Sequence, residues 1–125
     1  MASELRVDTL KDSSGSNSVG MAYVAGGSAK AWIKFTNKNS NITHASFNIS
    51  SFDDDGTGDF GINFTNSMSS AEYSAPSSGG EDNRSTITNF GTVLSSAMDG
   101  QTRQTSTNNI NDAERISIEI LGDLA

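Results

Sequence analysis

Cysteine is absent from the 125-residue chain, and proline, histidine and tryptophan each occur once. Without thiols there is no disulfide, no thiolate nucleophile and no cysteine-ligated zinc. A single imidazole, His44, leaves little for a catalytic relay, which needs an activated nucleophile with a base in reach. Charge is scarce as well: 18% of residues are Asp, Glu, Lys or Arg, against roughly 25% in an average domain. Acidic residues outnumber basic ones 15 to 8, and the eight cations are scattered singly. A phosphate backbone is held by clustered Lys and Arg, so nucleic acid is not an expected partner. No apolar run approaches the ~18 residues that a membrane-crossing helix needs. The opening Met1–Arg6 has no basic-then-apolar pattern, so neither membrane insertion nor a secretory signal is expected.

What fills the chain instead is small and polar. There are 21 Ser, 11 Thr, 12 Asn and 12 Gly residues, nearly half of the total. Such a composition disfavours a helical bundle, which draws on Ala, Leu, Glu and Lys. Nine aromatics and a net charge of only −7 also argue against charge-driven disorder. The length suits one domain.

Alternation carries the fold. Residues 4–10 place Leu5 and Val7 on one face and Arg6 and Asp8 on the other, a short strand before the polar loop 11–18. The segment 19–24 is weakly apolar and is broken by Gly26-Gly27, so residues 1–28 read as an extended arm for attachment or oligomerisation. From Ala29 the pattern strengthens. AKAWIKF sets Ala31, Ile33 and Phe35 against Trp32 and Lys34; THASFNI sets Ala45, Phe47 and Ile49 against His44, Ser46 and Asn48. DFGINFT aligns Phe60, Ile62 and Phe64, and RISIEIL aligns Ile116, Ile118 and Ile120. Each has the period of a strand with one buried face, and turn signals recur as in a sandwich or barrel. Between them, AEYSA reads as a strand, SSGGEDN as a loop, TVLSSAM as a helical turn and Asp99-Gly100 as a hairpin turn. Gln101–Asn109 reads as an edge strand or exposed loop. The expected fold is a small antiparallel, jelly-roll-like β-sandwich over 29–125. Trp32, opposite the buried face, joins Leu5, Val7 and Val19 as candidate contacts with neighbouring copies.

Little chemistry is visible. No nucleophile elbow, phosphate loop, HExxH or dinucleotide fingerprint occurs, so the chain is not expected to be an enzyme. The segment DDDGTGD spaces Asp53, Asp55 and Asp59 like ligands of a calcium loop, but the bidentate Glu that such a loop carries further on is missing. The competing reading is an Asp/Gly turn between two strands. No cofactor is expected unless calcium sits there. Four N-x-[ST] sequons begin at Asn41, Asn48, Asn63 and Asn83, which an Asn/Ser/Thr-rich chain produces by composition.

Ala31-Trp32, Ser46–Ser51, Gly56–Asp59, Phe60–Thr65, Met68 and Ala71–Tyr73 together form a block with a recognisable order and spacing. The block resembles the C-terminal module of tail-fibre proteins of tailed bacteriophages, of the marine and cyanophage type. The opening LRVDTLKDSSGSNS is similar to N-terminal segments of marine phage structural proteins, whereas residues 76–112 match no part of the family pattern. The resemblance implies a β-sandwich that assembles as a homotrimer on the virion, beside other virion proteins, and touches host-surface glycan. Tyr73, Arg84 and Arg103, in or beside the polar segments 76–84 and 101–111, are then the receptor-contact candidates. Two alternatives stand beside a tail fibre or spike: a capsid decoration protein, and a calcium-dependent carbohydrate-binding module.

Overall fold

A computed structural model describes residues 3–81 and 84–125. The chain is all-β, 55% strand with one short helix. The arm contains β1 (Thr9–Lys11), β2 (Ser18–Gly20) and α1 (Met21–Gly27). β1 and β2 pair as a small hairpin. Its turn is organised by Asp12, whose carboxylate accepts from Ser14 Oγ, Ser16 N and Asn17 Nδ2. The strand expected over residues 4–10 begins only at Thr9, because Leu5 and Val7 have no neighbouring strand to pair with.

Eight strands make the barrel: β3 (Ala29–Thr36), β4 (Ile42–Phe47), β5 (Ile49–Gly56), β6 (Asp59–Phe64), β7 (Ser77–Glu81), β8 (Arg84–Val93), β9 (Ala97–Gln104) and β10 (Arg115–Leu121). Their order is β4-β3-β10-β7-β8-β9-β6-β5, with every neighbour antiparallel. The sheet curls into a nearly closed barrel or flattened sandwich. Its two edges belong to consecutive strands, so the run expected as one strand from Thr43 to Ile49 bends across the seam.

Asn48 makes that bend. It sits at φ 57°, a left-handed conformation that Asn tolerates better than most residues. Its Nδ2 donates to Lys30 O at 3.1 Å and Asn66 O at 3.0 Å, while Oδ1 accepts from Asn66 N at 2.8 Å. The end of β3 and the end of β6 are thereby tied together, and this sequon nitrogen is fully engaged.

The core follows from the alternation. Ile33, Phe35, Phe60, Ile62, Ile116, Ile118 and Ile120 are at most 2% exposed, each contributing roughly 1.5–3 kcal/mol on burial. Ile118 faces Ile33, and Ile116 faces Phe35. Phe35 lies 4.3 Å from Phe52 and 5.0 Å from Phe60 between ring centroids. By contrast every residue of β4 is exposed, including Ala45 and Phe47. β4 is an edge strand, and its apolar residues lie outside the core.

The centre of the chain departs most from expectation. The loop expected at SSGGEDN is β7, an internal strand between β10 and β8. Gly79 is required there, since a Cβ would stand 2.8 Å from Thr86 Oγ1 and 3.0 Å from Arg115 O. Ala71–Ala75 forms no strand and makes only the Ser74–Leu121 bridge. The turn between β8 and β9 lies at Leu94–Ser96, closed by Leu94 N donating to Ala97 O, and no helical turn forms. Asp99-Gly100 lies inside β9, where Gly100 opposes Phe60 and a Cβ would strike its ring at 2.6 Å. Gln101–Gln104 likewise belongs to β9, which is flanked by β6 and β8 and is no edge.

Candidate functional site

The expected calcium segment is a strand for most of its length. Alternation along β5 turns Asp53 and Asp55 to the outer face of the barrel and Asp54 away from it. Asp53 Oδ2 accepts from Asn63 Nδ2 at 2.6 Å. Asp54 accepts from the Asn41 amide and from Gly56 N, which hold its carboxyl below the usual carboxylate range. The turn itself is Thr57-Gly58, and it points inward. Gly58 N donates to Asp112 Oδ1 at 2.6 Å, and Gly58 O accepts from Thr102 N at 2.8 Å. Thus the two glycines serve a turn docked against the 110–112 segment. Among the described residues no group of three or more His, Cys, Asp or Glu side chains is placed to hold a metal ion.

What the fold does assemble is a groove of about 380 Å³ on the outer face, lined by residues of β5, β6, β8 and β9. Asp55, Asp59, Asn89, Asp99 and Gln101 supply its polar wall. Register explains the gathering: Asp59 faces Gln101, which faces Asn89, and Gly61 faces both Asp53 and Asp99. The bare backbone of Gly61 leaves a notch. A Cβ there would stand 3.4 Å from Asp55 Oδ2 and 3.5 Å from Asp99 Oδ1. Asp59 Oδ1 is buried beside it and meets no donor. Carboxylates and amides side by side offer acceptors and donors for hydroxyl-rich or cationic groups. Asn89, Asp99 and Gln101 were not singled out by the sequence, because Asp-Gly resembles a turn. The inward alternation of Met98, Gly100 and Thr102 is the signal that places Asp99 and Gln101 outward.

Of the three receptor-contact candidates, Tyr73 and Arg103 do not come together. Tyr73 is half-buried, edge-on to Phe64 at 5.7 Å, and its hydroxyl lies 3.1 Å from Leu94 O and 3.2 Å from Ala97 O. The group that would meet a receptor is therefore engaged inward. Arg103 donates to Gln101 Oε1 at 2.9 Å and Asn108 O at 3.1 Å. It lies six residues along β9 from the Ala97 carbonyl that Tyr73 reaches, roughly 20 Å away at ~3.3 Å per residue. The Arg84 side chain and Asn83 lie outside the described residues. Of the contact candidates, Leu5 is 80% exposed and Trp32 38%, and Val7 is also exposed.

Burial pushes the Tyr73 phenol up to about 12. A raised pKa means the folded state holds the proton more tightly. Its stabilisation is complete below the ordinary value of about 10 and is lost as pH rises through about 12. Tyr73→Phe is expected to cost about 1 kcal/mol at neutral pH through the lost hydrogen bond. The variant should also unfold less steeply between pH 10 and 12 than the wild type, read from denaturant midpoints. An unchanged alkaline profile would contradict the burial of this hydroxyl.

No protein-family model matches this sequence, and no match is found among curated proteins or among solved structures.

Proposed function

We propose that the chain is a structural module of a tailed-phage virion, a small homotrimeric fibre or spike element that touches the host surface and performs no catalysis. The reading is supported by the tail-fibre-like block from Ala31 to Tyr73 and by an all-β barrel that presents polar loops and grooves on a rigid frame. The observation that carries it is the arm. Among the described residues its three elements contact one another and make no substantial contact with the barrel. Leu5, Val7, Leu10, Val19 and Tyr23 are left exposed along it. Apolar side chains so arranged gain free energy only when another surface covers them, as they would in an attached, assembled particle.

Antibody labelling of intact virions tests the reading. Label confined to the tail is the expected result. Label spread over the head would replace the fibre with a capsid decoration protein, and unlabelled particles would overturn both.

A further inference from the structure

The outer surface of the barrel carries two unlike faces. On the β4–β3–β10 side, Lys34 and Arg115 point outward near an apolar pair, Trp32 opposite Phe47, and Glu119 faces Trp32 from β10, while the Lys30 ammonium turns back to Ala25 O and Ser28 O. Trp32 is 38% exposed and Phe47 56%, with Ile42 exposed on the same face. Across the seam, on the β5–β6–β9 side, Asp53, Asp55, Asp59 and Asp99 point outward, with Arg103 further along β9 and bonded to Gln101. Neither Asp55 nor Asp99 meets a donor within the described residues, although both line the notch over Gly61. Two independent patterns therefore coincide: an uncovered aromatic sheet face that carries the exposed Lys34, and an acidic face with a recess of side-chain width.

We infer that the Trp32–Phe47 face of one copy packs on the Asp55–Asp99 face of a second copy, with Lys34 seated in the notch over Gly61. The inference rests on the homo-oligomeric reading above and names the contact between barrels. Lys34 stands two residues from Trp32 on the same face of β3, so one docking event covers the aromatic pair and neutralises the acidic notch together. A second copy is the occupant that complementarity selects, because the chain itself carries both halves. A net charge of −7 opposes self-association unless the few cations meet the acidic face. The two faces differ, so the contact is heterologous, and repeated about one axis it closes a ring.

Charge reversal separates this contact from other modes of assembly. The full chain and the variants Lys34→Glu, Asp99→Lys and the double variant are compared by sedimentation equilibrium. Each site is exposed, and circular dichroism with thermal midpoints checks that folding is kept. Each single reversal is expected to weaken association by about tenfold or more, and the double variant to recover it to within about threefold. Wild-type association should also fall when salt is raised from about 0.05 to 0.5 M. An oligomer indifferent to all three variants overturns this contact and leaves the homo-oligomeric reading standing. A wild type that stays monomeric at about 100 μM and low salt overturns both.

Discussion

Gly58→Ala is expected to destabilise the barrel by about 3–4 kcal/mol, measured as a shift in denaturant midpoint at unchanged slope. Two costs combine. Gly58 has φ +71°, where an L-residue with a side chain loses roughly 1–2 kcal/mol. The new Cβ would also stand 2.5 Å from Ile110 Cγ2, 2.9 Å from Thr102 O and 3.0 Å from Asn111 N. Two of those are backbone atoms and cannot rotate aside, so overpacking adds roughly 1–3 kcal/mol. Relief requires moving residues 110–112, which breaks the 2.6 Å bond from Gly58 N to Asp112 Oδ1. Gly91→Ala is the control. Its Cβ meets nothing closer than 3.9 Å and its φ is ordinary, so it should shift stability by less than about 0.5 kcal/mol. A loss below about 1 kcal/mol at Gly58 would mean that the 110–112 segment yields easily.

The same residue shows what could be read from the sequence. Gly-Thr-Gly announced a turn, and a turn is present at Thr57-Gly58. Which surface it meets is a tertiary fact: Ile110 and Asn111 lie some fifty positions later. The strands β3, β6 and β10 were legible because one of their faces is filled by Ile and Phe. β7 was not legible, since Ser-Ser-Gly-Gly-Glu carries no alternation and pairs because its glycines fit beneath Thr86 and beside Arg115. Asp99-Gly100 misled for the opposite reason. The pair favours a tight turn locally, yet the Phe60 ring occupies the space over Gly100 and holds it in a central strand. The groove was hidden with it, because Asp99 and Gln101 become outward neighbours of Gly61 and Asp59 only once that register is set.

Asn48→Ala is expected to cost about 2–4 kcal/mol and to open the seam of the barrel before the rest unfolds. The substitution forces alanine to φ 57°, a penalty of roughly 1–2 kcal/mol. It also removes the side-chain bonds to Lys30 O, Asn66 O and Asn66 N, each worth about 0.5–1.5 kcal/mol net and partly replaced by water at this half-buried site. Two further variants divide the effect. Asn48→Gly keeps the backbone conformation at little cost and loses the hydrogen bonds, so it should fall between wild type and alanine. Asn48→Asp keeps the acceptor for Asn66 N but not the donor to Lys30 O and Asn66 O, leaving like partners face to face. Hydrogen exchange locates the damage. The Asn66 amide is bonded to Asn48 Oδ1, and the Thr65 amide to Asn48 O. In Asn48→Gly the Asn66 amide should lose protection while the Ile33–Ile118 ladder keeps it, because the backbone acceptor for Thr65 survives and the central pairs are untouched. Uniform loss across the ladder would show instead that the seam and the core unfold as one unit, and that Asn48 is a keystone of the barrel rather than of its edge.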